Sequence, residues 1–109
     1  MSYKVIATDN FARELKKLVK KYPLLKEPLL ELSTSLSARP AQGVAIGNDC
    51  YKIRISSPDK PSGKSGGFRI VTYVAYKNDR VYLLSVYDKS QVANIKDSEL
   101  KALLKVLGN

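Results

Sequence analysis

The chain has 109 residues, 44% hydrophobic and 27% charged, which fits one domain over residues 1–109 with a single core and is too apolar for a disordered polymer. Nineteen lysines and arginines against ten carboxylates leave a net charge of +9, a balance that favours nucleic acid or another polyanion, although many small basic proteins are basic only for solubility. Histidine is absent and Cys50 stands alone, which removes imidazole catalysis, a Ser-His-Asp triad, histidine metal ligands and any internal disulfide.

Tyr3 to Ala7 alternates weakly as a first strand, and Thr8 or Asp9 offers an N-cap side chain. Phe11, Leu15, Leu18 and Tyr22 then form one helical stripe, with Arg13, Lys16, Lys17, Lys20 and Lys21 spread over the remaining faces and Pro23 closing the helix. A second stripe runs Leu25, Leu29, Leu32, Leu36, and Pro28 is tolerable only near the start of that helix or at a kink. Together they predict a helical hairpin.

After Arg39-Pro40 the period changes to two. Val44-Ala45-Ile46 and Tyr51 to Ile55 read as strands around a Gly47-Asn48-Asp49 turn, followed by a loop from Ser56 to Gly67 dense in proline and glycine. Phe68 to Tyr76 and Val81 to Tyr87 form a hairpin turned by Lys77-Asn78-Asp79. Asp97-Ser98-Glu99 caps a last helix carrying Leu100, Leu103, Leu104 and Leu107, most simply core residues, and ending at Gly108. The expected fold is α+β: a helical hairpin packed on a mostly antiparallel sheet of about four to five strands, with a short C-terminal helix. No signal-peptide core opens the chain and no run approaches the roughly 18 apolar residues of a membrane span. With one cysteine, in keeping with a reducing cytosol, these features predict a cytoplasmic protein with no membrane partner.

Gly63-Lys64-Ser65 invites a phosphate-loop reading, but Pro58 stands where that motif needs its first glycine, and the segment runs into a strand instead of a helix N-terminus. The ten carboxylates show no metal-binding spacing, so neither metal nor cofactor is expected. What remains is a cationic cluster: Tyr51 to Lys89 holds eight basic residues against three acidic ones. Strand alternation puts Lys52 and Arg54 on one face, roughly 6–7 Å apart, with Tyr51, Ile53 and Ile55 on the other. Arg69 joins them if its strand pairs alongside, and Gly66 and Gly67 clear room for a ligand backbone. Two readings stand at this point: a polyanion site, or a solvated strand face with Arg69 in an ion pair with Asp88 or Asp49.

Tyr51-Lys52-Ile53-Arg54, the Gly63 to Arg69 segment, Leu83 to Ser90 and the short last helix together resemble the RelE/HigB superfamily of type II toxins, closest to its HigB-type RelE-like branch. The resemblance covers essentially the whole chain. It implies an endoribonuclease that cleaves messenger RNA on the ribosome and is neutralised by a co-expressed antitoxin. It carries the family's basic positions onto Lys52, Arg54, Arg69 and Lys89. The family's best-studied members place a catalytic tyrosine several residues beyond the last basic position, where this chain has Asn94-Ile95; Tyr87 precedes Lys89 as a stacking or orienting group.

The physical reading is compatible: attack by RNA's own 2′-hydroxyl builds negative charge that preorganised cations stabilise without imidazole. Arg54 and Arg69 are then phosphate clamps, with Lys52 and Lys89 as acid/base groups or charge stabilisers. Lys60, Lys64, Lys16, Lys17 and Lys20 are expected to contact ribosomal RNA or substrate backbone. A non-catalytic RNA- or ribosome-binding module, a structural partner-binding domain and a ParE-type gyrase-targeting toxin are the alternatives.

Overall fold

A computed structural model describes residues 2–60 and 67–108. The first strand, β1 (Lys4–Ala7), runs into Thr8, whose side chain accepts the Phe11 amide at 3.3 Å and starts α1 (Asp9–Lys21) at the predicted cap. The predicted stripe is the covered face: Phe11 and Tyr22 are buried and Leu15 and Leu18 partly so, while the basic residues of α1 stay exposed. Pro23 opens a single 3₁₀ turn (Pro23–Leu25), and α2 (Lys26–Ala38) follows directly. Pro28 lies in the first turn of α2, where a missing amide hydrogen leaves no intrahelical bond unmade.

Five strands form one mixed sheet in the order β1-β5-β4-β3-β2. β2 (Val44–Gly47), β3 (Cys50–Ile55), β4 (Phe68–Ala75) and β5 (Arg80–Asp88) are antiparallel neighbours, and β1 adds parallel to β5. Both predicted turns are present, with Asn48, Asp49 and Asp79 in the left-handed region that short polar side chains tolerate. α3 (Asp97–Val106) begins after Lys96 without a side-chain cap bond, which corrects the expected Asp97 cap. Asp97 and Glu99 instead sit inside the first turn, where their charge favours the helix dipole.

Each face of the sheet carries its own core. The helical hairpin buries Phe11, Leu25 and Leu36 against Ile53, Ile55, Phe68 and Ile70. On the opposite face, Leu100 and Leu104 of α3 pack with Cys50, Val71, Leu84 and Tyr87. Burial first, and then the charge of Asp49, push the Cys50 thiol up to about 11, so it stays protonated and acts as a packing residue. No helix among the described residues is long and apolar enough to cross a membrane.

Candidate active site

Alternation along β3 divides its residues as expected. Tyr51, Ile53 and Ile55 belong to the hairpin core, leaving Lys52 and Arg54 on the face that α3 shares. Register then assembles a row across three strands: Arg54 is paired with Arg69, Arg69 is paired with Tyr87, and Lys52 lies one step along, opposite Val71. Residues directly opposite place their Cβ atoms roughly 4.5–5.5 Å apart, so the two arginines leave the sheet side by side on one face. Two cations carried by neighbouring strands on one face are suited to a phosphate, which can accept hydrogen bonds from both.

Tyr87 reaches this face through a β-bulge. Val71 pairs with Ser85 but Thr72 with Leu83, so Leu84 is an extra residue on β5. Tyr82 and Leu84 point towards α3, and strict alternation would send position 86 there; the bulge shifts the phase so that Tyr87 faces α3 while Val86 joins the hairpin core. Helix α1 satisfies the polar groups the bulge sets loose. The Asn10 amide donates to the Leu84 carbonyl at 2.9 Å, and the Glu14 carboxylate accepts from the Ser85 hydroxyl at 2.8 Å and the Val86 amide at 3.3 Å. Sequence reasoning assigned neither Asn10 nor Glu14 a role, since their partners lie more than 70 residues away.

Depth varies along the row. Arg54 is exposed and Lys52 and Lys89 are half-buried, whereas Arg69 and Tyr87 are 5% and 7% exposed. Arg69 Nη1 donates to the carbonyl of Phe68 at 3.2 Å, which helps hold the guanidinium. Burial raises the pKa of the Tyr87 phenol against the opposing pull of the Ile95 backbone and the Arg69 charge, and its hydroxyl makes no good hydrogen bond among the described residues. A ring so covered offers no surface for a nucleotide to stack on in this conformation.

The segment between β5 and α3 closes over one end of the row. Lys52 Nζ donates to Asn94 Oδ1 at 2.8 Å, Lys89 Nζ donates to the Ala93 carbonyl, and Ile95 packs into the cluster that holds Tyr87. The Lys89 amide is itself fixed on the Gly67 carbonyl at 3.0 Å. Gly67 is a glycine for a structural reason: its φ is +87° and a Cβ there would lie 2.7 Å from the Ile55 carbonyl oxygen. The expectation that Gly67 clears space for a ligand gives way to this close approach of the chain to itself. Gly66 and Lys64 lie outside the described residues.

Other expected site residues are not brought together. Lys16, Lys17 and Lys20 sit on the exposed surface of α1, in the layer opposite the row. Lys60, expected among the RNA-facing lysines, instead pairs with Asp88 at 3.0 Å, both side chains largely buried and the ammonium 5.2 Å from the Tyr22 ring centroid. Asp88 stands opposite Phe68 on the hairpin face, which removes it as the ion-pair partner considered for Arg69. Asp49 lies at the far end of β3, beside Val74, about five residues or roughly 16 Å along the strand from Arg54.

Burial alone would raise the Asp88 carboxyl, but hydrogen bonds from the Ser90 hydroxyl and amide, together with Lys60, outweigh it and hold the pKa below the ordinary carboxylate value. A depressed folded pKa gives stability that is complete above the unfolded value of about 3.9 and is lost as pH falls through the folded one. The urea midpoint of the wild type should therefore exceed that of Asp88→Asn at neutral pH, and the gap should close below about pH 4. A gap that did not narrow at all as pH fell below about 4 would show that it does not arise from the charge of Asp88.

Residues 3–108 match the family described as the RelE toxin of the RelE / RelB toxin-antitoxin system. The fold is similar to a doubly substituted E. coli RelE toxin in the free state, with a TM-score of 0.61 and 22% identity over 96% of this chain and 97% of that one. It is also similar to the isolated E. coli RelE toxin in a P21 crystal form, with a TM-score of 0.60 and 20% identity over 96% and 99% of the two chains. The intact E. coli RelBE toxin-antitoxin complex matches with a TM-score of 0.58 and 24% identity, over 78% of this chain and 94% of that one. At such identities the solved structures speak for the fold alone, and the match over nearly the whole sequence shows that this chain belongs to the RelE toxin family.

Proposed function

We propose that the chain is the toxin of a type II toxin-antitoxin pair, acting in the cytoplasm as a ribosome-dependent endoribonuclease that cleaves messenger RNA. The observation that carries this reading is the register that sets Arg54 beside Arg69 and Arg69 beside Tyr87, with Lys52 one step away. When a 2′-hydroxyl attacks its neighbouring phosphorus, charge grows on the phosphorane oxygens and on the leaving oxygen. Fixed guanidinium groups stabilise that charge more in the transition state than in the substrate. Lys52 and Lys89, at the edge of the row, are the candidates for taking and returning the proton or for stabilising the developing charge, since they are the amines beside it.

The resemblance to the HigB-type branch and to the RelBE complex supports a cognate antitoxin as protein partner. Lys16, Lys17 and Lys20 form a second cationic surface suited to ribosomal RNA. A non-catalytic ribosome-binding module is the competing reading, favoured by the burial of Tyr87, which leaves the row without an exposed general base other than lysine. Mapping RNA ends on translating ribosomes separates the two: the toxin should create new ends at discrete positions, and a messenger with a 2′-deoxynucleotide at a mapped position should bind but remain intact there. Binding without new ends on the all-ribose messenger would establish the competing reading.

A further inference from the structure

We propose that Asn94 is a positioning residue, which holds the Lys52 ammonium against the arginine row by accepting a hydrogen bond from it through a neutral oxygen. The inference rests on the nuclease reading above and extends it to a residue that has no place in that mechanism so far. Lys52 shares its strand face with Arg54, two residues away, and lies one register step from the Arg54–Arg69 pair. Repulsion from those guanidinium groups drives a four-carbon side chain outward into solvent unless something retains it.

Asn94 Oδ1 retains it at 2.8 Å, across 42 residues of sequence. The chemical choice matters. An aspartate or glutamate at this point would hold Lys52 equally well but would cancel part of the cationic field of the row. An amide oxygen fixes the direction of one N–H and leaves the net charge of the row intact.

Asn94 is itself held in place from both sides. The amides of Gln91 and Val92 both donate to the Asp88 carbonyl at 3.0 Å, forming a turn directly after β5. The Ala93 carbonyl accepts the Lys89 ammonium, and Ile95 packs beside Tyr87 in the α3 core. The segment thus ties Lys52, Lys89 and Tyr87 to one short stretch of backbone.

The test uses the full-length chain with Asn94→Ala and Asn94→Asp, both at an exposed position that leaves the two cores untouched. On translating ribosomes Asn94→Ala should lower kcat by about 10–100-fold with KM little changed, the signature of a misplaced group rather than lost binding. Asn94→Asp keeps the contact to Lys52 but should also lose activity, because a carboxylate there cancels part of the positive field that stabilises the developing charge. In the free protein, acylation of the Lys52 amine, followed by mass spectrometry against exposed Lys101 as internal control, should be several-fold faster in Asn94→Ala than in wild type. Wild-type cleavage rates, or faster ones, in Asn94→Ala would overturn the inference and leave the nuclease reading standing. Absence of cleavage by the wild type would overturn both.

Discussion

If the proposed nuclease reading holds, Arg69→Ala should cut messenger cleavage in the ribosome assay to background, with kcat reduced by at least about 10²–10³-fold, the loss typical of removing one preorganised donor from a developing oxyanion. The protein stays folded, because β4 keeps its backbone pairing to β3 and β5 and the core residues beside Arg69 lie on both faces of the sheet. Arg69→Lys preserves the charge but loses the planar fork that grips two phosphate oxygens, so it should recover only a small part of the activity. Cleavage by Arg69→Ala at the wild-type rate would remove the row as the catalytic centre. Circular dichroism and thermal melting, run alongside, separate lost chemistry from lost fold.

Phe68→Ala destabilises the protein by about 3–5 kcal/mol, a large part of the 5–15 kcal/mol that holds a typical domain together. Phe68 is fully buried at the start of β4, with the Tyr22 ring edge-on at 5.3 Å and the Lys60 ammonium 5.7 Å from its centroid. Truncation opens a cavity between the sheet and the helical hairpin, removes an aromatic pair and uncovers the Lys60–Asp88 pair from one side. Since Phe68 precedes Arg69, this variant should lose activity through unfolding. Urea titration measures the effect directly, and a change below about 1 kcal/mol would contradict the packing described for this core.

The elements of the fold were legible because each leaves a local mark. The Phe11 to Tyr22 stripe repeats with the helical period, Thr8 caps, Pro23 stops, and the asparagine and aspartate turns sit where left-handed backbone is needed. Lys52, Arg54 and Arg69 were legible as a group for the same reason, since alternation fixes a face and the short hairpins fix neighbours. The place of β1 was not, because a parallel pairing of Lys4 with Arg80 leaves nothing local to read. Nor was the bulge at Leu84, which re-aims Tyr87 and is stabilised by Asn10 and Glu14 from a distant helix. Lys60 looked like its neighbours in a basic loop. Only the fold could show that Asp88 draws it inward, and only the fold could show that Asn94, noted in the sequence for standing where relatives carry a tyrosine, touches Lys52.

The pairing of β1 with β5 bears on when such a protein becomes dangerous. Arg54, Arg69 and Tyr87 come from three successive strands, and the last of these is also the one that receives β1, with Lys4 opposite Arg80. No fragment short of β5 can set two arginines and a tyrosine in line, and no fragment short of β5 gives the first strand a neighbour. Contacts of such long sequence separation form late and slowly in folding. A growing chain therefore holds its cations dispersed while it is being made, and the ribosome translating it meets only an unassembled polycation. If the row is the centre of the activity proposed above, that activity begins as a property of the finished sheet, which gives a partner that captures the chain during synthesis time to act before the row exists.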